Sequence, residues 1–130
     1  MWRISNYLYK KKFRILAGMI FRMIRFFFSC EIPPSIIVGK GTLFIHNGLG
    51  CVVHPKAIIG KNCRIYQNVT IGGRNGRGTP ILKDGVFVGP GACILGGVII
   101  EKNVVIGANT VVLHNVMEGK KVVCSTSREL

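Results

Sequence analysis

His46 is the residue of this sequence best suited to act as a general base. Imidazole titrates near neutral pH, so its neutral form can take a proton from a hydroxyl as the hydroxyl oxygen attacks a carbonyl carbon. Such a base typically accelerates a reaction by about 10²–10⁴-fold. A carboxylate on the second ring nitrogen, here that of Glu31, would fix the tautomer and stabilise the imidazolium. The alternative for His46 is a solvated loop histidine without a chemical role.

The other histidines and the cysteines do not form a second chemical site. His54 and His114 have no comparable support, and we interpret both as structural. No cysteine pair occurs as C-x-x-C and the histidines lack zinc-ligand spacing, so we predict no catalytic metal. Five cysteines are an odd number, which favours reduced thiols and a cytoplasmic location over a disulfide framework.

The structure that must position His46 is a repeat with a period of six residues. Its apolar anchors form three runs: Ile32, Val38, Phe44; Val53, Ile59, Ile65, Ile71; and Leu82, Val88, Ile94, Ile100, Ile106, Val112. Neither an α-helix nor an alternating strand has this period. The repeat predicts an all-β solenoid in which three hexads close one triangular coil and every anchor points inward.

Two interruptions of the repeat predict loops. Three extra residues fall between Phe44 and Val53, around 45–51, and five between Ile71 and Leu82, around 73–81. Insertions in a solenoid are extruded, often on the binding face. The first insertion contains His46, and the count of hexads places Glu31 on the same side of an adjacent coil. The two side chains are therefore expected within reach of each other.

Glycine follows many of the anchors directly. These glycines are Gly39, Gly60, Gly72, Gly89 and Gly107. We expect them to relieve the backbone at the corners of the triangle, because glycine accepts conformations that other residues avoid.

Residues 1–30 predict a basic amphipathic helical arm. They hold seven Lys or Arg and no acid, and their apolar residues share one face of a helical wheel. Two compatible roles remain open: packing on the end of the solenoid, or peripheral contact with an anionic membrane. The arm is followed by a solenoid domain at 31–116 and a tail at 117–130. Its longest apolar run is too short to span a bilayer.

The formal net charge of +13 favours anionic partners. Nucleic acid is the least favoured of them, because the solenoid offers no recognition helix and few exposed aromatic residues among its bases.

Residues 31–116 resemble the catalytic domain of serine acetyltransferases, and still more the short enzymes that O-acetylate bacterial surface polysaccharides. The matching segments are E-I-P-P at 31–34, G-K-G at 39–41, H-N-G-L-G at 46–50, Q-N-V-T-I-G-G at 67–73, G-P-G-A at 89–92, I-L-G at 94–96 and I-G-A-N at 106–109. The resemblance implies a left-handed parallel β-helix and a homotrimer with active sites between subunits. It also implies acetyl-CoA as acyl donor, His46 as base, and Glu31 in the place of the usual Asp.

The same resemblance suggests where coenzyme A would bind. The expected contacts with the pantetheine arm are Gly73, Pro90, Ala92 and Ala108. Pro90 replaces a frequent Ala and removes a backbone N–H donor. Lys120 and Lys121 are candidates for the CoA phosphates, with a solvated charge pair as the alternative.

Three departures from the serine acetyltransferases shape the expected function. Ile45 stands where they have Asp, their second His is replaced near Thr79, and residues 124–128 depart from their CoA-binding tail. The expected activity is therefore acetyl-CoA-dependent O-acetylation of a saccharide hydroxyl, in the cytoplasm and at the inner face of the membrane. The alternatives are a serine O-acetyltransferase-like enzyme and a non-catalytic β-helix scaffold.

Overall fold

The computed structural model describes residues 2–124, in which two helices precede thirteen short strands and one 3-10 turn. The helices are α1 (Trp2–Lys10) and α2 (Arg14–Phe28). The strands are β1 (Ile37–Val38), β2 (Leu43–Phe44), β3 (Val52–Val53), β4 (Ile58–Ile59), β5 (Arg64–Ile65), β6 (Thr70–Gly72), β7 (Ile81–Leu82), β8 (Phe87–Val88), β9 (Cys93–Leu95), β10 (Ile99–Ile100), β11 (Val105–Ile106), β12 (Val111–Val112) and β13 (Lys121–Val122). The 3-10 turn spans Ile45–Gly48.

The strands form three parallel sheets, one for each side of a triangular coil. Their orders are β1-β4-β7-β10, β2-β5-β8-β11-β13 and β3-β6-β9-β12. Every third strand therefore stacks on its equivalent in the next coil, and Ile65 on β5 is in register with Val88 on β8. About four coils result, and the predicted parallel β-helix is confirmed.

The anchors fill the interior of the coils. Eleven of the thirteen are buried, and the other two, Val38 and Phe44, are partly buried in the first coil. Each two-residue strand points one side chain inward and the other outward, because successive side chains alternate across a strand. The hexad therefore gives a narrow core made almost entirely of aliphatic side chains.

The corners use glycine in two ways, and the expectation that the glycines after the anchors relieve the backbone through unusual conformations is wrong. The glycines that follow anchors have no positive φ; a Cβ on Gly89, for example, would lie 2.7 Å from the backbone nitrogen of Ala108 in the next coil. They permit close approach of the coils. The left-handed conformations fall two residues later, at Gly41, Asn62, Gly85 and Asn103 along one corner and Gly50, Asn68, Gly91 and Asn109 along another.

Glycine and asparagine alternate along both of those corners. A Cβ on Gly85 would lie 2.3 Å from Oδ1 of Asn103, and one on Gly91 would lie 2.1 Å from Oδ1 of Asn109. Each asparagine side chain thus occupies the space that the glycine of the preceding coil leaves open. Asparagine tolerates the left-handed conformation better than most residues, which explains its place in the alternation.

The predicted helical arm is divided into two helices that pack against each other and against the first coil. One straight helix over residues 2–28 would be about 40 Å long and would project beyond the solenoid. A turn at Lys12, whose φ is 68°, instead folds α1 back onto α2, and Ser5 Oγ donates a hydrogen bond of 2.9 Å to the carbonyl of Ala17.

Contacts between the arm and the solenoid confirm the capping role. The ring of Trp2 lies 5.5 Å from that of Phe44, and Asn6 Nδ2 donates to the carbonyl oxygen of Pro34 at 2.7 Å. Ile24 on α2 is buried in the core. The arm therefore closes the end of the hydrophobic core.

Strand pairing continues past residue 116 into the predicted tail. Strand β13 pairs with β11, with Lys121 opposite Val105. The altered tail residues from Ser125 onward lie outside the described part of the chain.

Candidate active site

The predicted base, His46, lies in an irregular turn between β2 and β3. Its φ and ψ are 54° and 37°, and Asn47 beside it has a φ of 58°. A left-handed conformation costs a residue such as histidine about 1–2 kcal/mol. The turn is held by Gly48, where a Cβ would lie 2.8 Å from Cδ1 of Ile32. Strain of this kind persists where the surrounding structure enforces it, and it is concentrated at functional sites.

The His46 ring is exposed and lies at the start of a row of aromatic rings. Its centroid is 6.2 Å from that of Tyr66 in the next coil, and Tyr66 is 5.2 Å from Phe87 in the coil beyond. Sequence reasoning did not select Tyr66. The signal was available, because Tyr66 follows the anchor Ile65 at a position where glycine is common.

Glu31 reaches the same region through backbone pairing. It forms a parallel bridge with Val52, and its N–H donates to the carbonyl of Cys51 at 2.7 Å. Its carboxylate Oε2 is 3.4 Å from Arg25 Nη1 on α2, and both side chains are partly exposed. Within residues 2–124 no hydrogen bond joins Glu31 to His46, so the pairing of these two side chains stays a prediction.

Two of the predicted CoA contacts lie on the same corner of the β-helix as His46. Pro90 and Ala108 follow β8 and β11, as Tyr66 follows β5 and His46 follows β2. We call this corner, made by His46, Tyr66, Pro90 and Ala108, the His46 edge. Strands in a sheet are spaced about 4.8 Å apart, so the edge is about 14 Å long from the coil of His46 to that of Ala108. It can accommodate an extended ligand.

The His46 edge also contains an unpaired hydrogen-bond acceptor. Oε1 of Gln67, next to Tyr66, is buried and has no hydrogen-bond partner among residues 2–124. A buried polar atom left unpaired costs about 1–3 kcal/mol, and in a native protein it calls for an explanation. A ligand N–H lying along the edge could supply the missing donor after the Gln67 side chain turns outward.

The other predicted CoA contacts are placed differently. Ala92 is fully buried, so only its backbone can meet a ligand. Gly73 is exposed beyond the far end of β6, at the start of the second loop. Lys120 and Lys121 are exposed at the start of β13, and Lys121 continues the outer face of the sheet that ends at the His46 edge.

The second loop forms a cationic pocket that sequence reasoning did not identify. The pocket has a volume of about 290 Å³ and is lined by Arg74, Arg77 and His114 together with Gly96 and Gly97. The N–H of Gly97 donates to the carbonyl of Arg77 at 2.7 Å, which attaches the loop to the next coil. Arginine side chains beside accessible backbone suit a phosphate group.

Thr79, at the position of the family's second histidine, already has a structural role. Its Oγ1 donates to the carbonyl of Lys56 at 3.1 Å. In the part of the chain that the structure describes, no three His, Cys, Asp or Glu side chains lie together as they would around a metal ion.

Comparison with known proteins agrees with this architecture. Residues 79–114 match the family model described as bacterial transferase hexapeptide (six repeats). The serine acetyltransferase of Staphylococcus xylosus is 44% identical over 116 residues, covering 87% of this chain and 53% of that enzyme. The chain thus spans about half the length of the curated relatives it matches.

Solved structures give the same result. A serine acetyltransferase in complex with CoA matches with a TM-score of 0.84 and 35% identity, over 98% of this chain and 53% of that one. The soybean enzyme complexed with serine matches with a TM-score of 0.84 and 36% identity, over the same shares. These relatives act on serine, and they give no support to the finer expectation of a polysaccharide-acetylating enzyme. The repeat, the fold and these likenesses together show that the chain is built like the hexapeptide-repeat acyltransferases.

Proposed function

We propose that the chain transfers an acetyl group from acetyl-CoA to the hydroxyl of serine or a serine-like acceptor. The observation that carries this proposal is the identity of 44% over 116 residues with a serine acetyltransferase, in a chain whose His46 lies on a strained, exposed loop. The relatives whose structures contain CoA and serine make these two molecules the first candidates for donor and acceptor.

His46 would act first as a base and then as an acid. Its neutral imidazole takes the hydroxyl proton as the hydroxyl oxygen bonds to the acetyl carbonyl carbon. The carbon–sulfur bond of the tetrahedral intermediate then breaks, and the imidazolium returns the proton to the departing thiolate of CoA. Backbone N–H groups of the loop would stabilise the oxyanion between the two steps.

Glu31 would orient the imidazole, and this requires a change of partner. Its carboxylate contacts Arg25 at 3.4 Å, and both groups are partly exposed, so the contact is weak. A rotation of the Glu31 side chain toward His46 would exchange that exposed ion pair for a charge-assisted hydrogen bond, which strengthens when the ring becomes protonated.

The His46 edge supports an extended donor. The exposed Ala108 presents only a small side chain to a pantetheine arm. Gln67 Oε1, once its side chain turns outward, offers an acceptor for one of the amide N–H groups of that arm. Lys120 and Lys121, or the pocket with Arg74 and Arg77, would supply cations for the phosphates.

A saccharide hydroxyl is the second candidate acceptor. Ile45 places an apolar side chain beside His46 where the family has Asp, and Thr79 Oγ1 is bonded to Lys56 where the family has its second His. Those two family residues serve an amino-acid acceptor, so their replacement favours an acceptor of another kind.

We also propose that the chain works as a homotrimer in the cytoplasm. The support for the trimer is the family resemblance, and the support for the compartment is five free cysteines.

The test is the reaction itself. Purified protein is incubated with acetyl-CoA and either L-serine or a panel of monosaccharides, and the products are separated by chromatography and identified by mass. Detection with a thiol reagent is avoided because Cys124 is exposed and would react with it. O-acetylserine supports the first acceptor, and an acetylated sugar alone supports the second. Absence of transfer, together with absence of calorimetric acetyl-CoA binding, would contradict both and leave the scaffold alternative.

A further inference from the structure

Helix α2 has two apolar faces, and only one of them is covered, by α1 and by the solenoid. Ala17 and Ile24 are buried, with Phe28 partly buried beside them. On the opposite side Ile15 is 85% exposed and Phe26 is 82% exposed. A helix that only capped the solenoid would have a polar outer face.

The uncovered apolar side chains form one continuous stripe. It runs along α2 through Phe13, Ile15, Leu16, Met19, Met23, Phe26 and Phe27, all of which are exposed. At 1.5 Å per residue the stripe is about 18 Å long from Ile15 to Phe27. Exposed apolar patches of this extent mark contact sites for proteins or membranes.

Basic residues border the stripe. Lys10, Lys11 and Lys12 lie at the turn between the helices, and Arg14 and Arg22 lie along one side of the stripe. Arg25 is the exception, because it contacts Glu31. At the turn, the side chains of Lys12, Phe13, Arg14 and Ile15 line a shallow concavity together with Leu16 and Met19. No acidic residue occurs in the first thirty positions of the sequence.

We propose that the outer face of the α1–α2 hairpin docks on an anionic lipid surface. Apolar side chains bordered by cations match the acyl and headgroup layers of such a surface, which is the known behaviour of interfacial helices. A protein partner would need the apolar stripe but not this one-sided charge. Within the described residues no helix is long and apolar enough to cross a membrane, so the contact is peripheral. It does not depend on the acetyl-transfer proposal.

The experiment measures sedimentation of the full chain with vesicles of phosphatidylcholine, with and without phosphatidylglycerol. We expect binding to the mixed vesicles only, weakening as salt is added. Ile15→Glu/Phe26→Glu should weaken it about tenfold or more, since the charges oppose burial in the acyl layer. Arg22→Glu should weaken it about fivefold or more.

Matched variants on the solenoid control for charge and for lost apolar surface. Met117→Glu/Val123→Glu changes two side chains that are 69% and 71% exposed, and Lys102→Glu reverses one exposed base. Both should bind mixed vesicles as the unchanged chain does, with circular dichroism verifying the fold of all variants.

Three results would overturn the proposal. They are no binding of the unchanged chain to mixed vesicles, equal loss in the arm and solenoid variants, and full binding by Ile15→Glu/Phe26→Glu. In the last case, a change of oligomeric state in analytical ultracentrifugation would assign the stripe to a contact between copies of the chain.

Discussion

The regular coils and the inserted loop at residues 45–51 differ in which residues adopt the left-handed backbone conformation. In the coils it falls on Gly or Asn, and each Asn side chain fills the space above a glycine. In the loop it falls on Asn47, Gly48 and Gly50, and also on the exposed His46. The regular repeat builds the sides of the solenoid with little backbone strain. The strained loop exposes His46, the side chain suited to act as a base. The difference indicates that loop changes should alter activity and coil changes should alter stability.

The largest effect is expected from removing the base. His46→Asn keeps a residue that tolerates the left-handed conformation, so the loop should be retained while acetyl transfer falls by about 10²–10⁴-fold. Rates with saturating acetyl-CoA and unfolding by urea are measured together. His54→Ala is the control, because the His54 side chain accepts a bond from the Lys56 N–H and lies outside the His46 edge. Full activity in His46→Asn would remove His46 from the mechanism.

Removing a core anchor should mainly lower the stability of the fold. Ile94 is fully buried, and Ile94→Ala should lower the free energy of unfolding by about 2–5 kcal/mol through lost burial and a cavity. Ile99→Ala removes the same atoms from the outer, partly exposed face and should cost about 1 kcal/mol or less. Denaturant titrations of both variants measure the difference. Equal losses would show that the outer face is as tightly packed as the interior.

The alternation of glycine and asparagine gives a smaller, more specific test. Gly85→Ala and Gly76→Ala both place alanine at a positive φ, which costs about 1–2 kcal/mol. Only the Cβ at Gly85 also meets Asn103 Oδ1, at 2.3 Å, so its loss should exceed that at Gly76 by about 1–3 kcal/mol. Adding Asn103→Gly to Gly85→Ala should recover part of this excess. A double variant no more stable than Gly85→Ala would contradict the steric explanation.

The smallest effect on stability is expected from ionisation of the buried thiols. Burial raises the pKa of the Cys63 thiol above its ordinary value of 9.0, and burial likewise raises the pKa of Cys30 and Cys51. The unfolded chain therefore loses these protons first, so this contribution to stability is intact below pH 9.0 and lost as the pH rises through the folded-state pKa. Unfolding titrations should show the decline, and Cys63→Ala should reduce it.

Labelling with a thiol reagent distinguishes the buried cysteines of the coils from the exposed Cys124 at constant pH. The exposed Cys124 should react in the folded protein, whereas Cys30, Cys51 and Cys63 should react only on unfolding. Rapid reaction of Cys63 in the native protein would show that the coils open locally.

Much of the fold could be predicted from the sequence because every hexad folds in the same way. Anchors such as Ile65 and Val88 must all point inward for coils to stack, so their period gave the parallel sheets, the core and both loops. The break of the arm at Lys12 could not be predicted, because the apolar residues of the arm fit one helix as well as two. Only the area buried on the solenoid end decides between them.

For the candidate site, the sequence by itself determined His46 on an extruded loop, Glu31 near one corner, and small residues along a wall. The tertiary structure alone decided which way their side chains turn and which partners they contact. Pro90 and Ala108 join His46 and Tyr66, Ala92 turns inward, and Glu31 takes Arg25 as its partner. The physical reason is that a hexad count fixes the height and side of a residue along the coil. Side-chain direction and pairing depend on neighbours from other coils and from the helical arm.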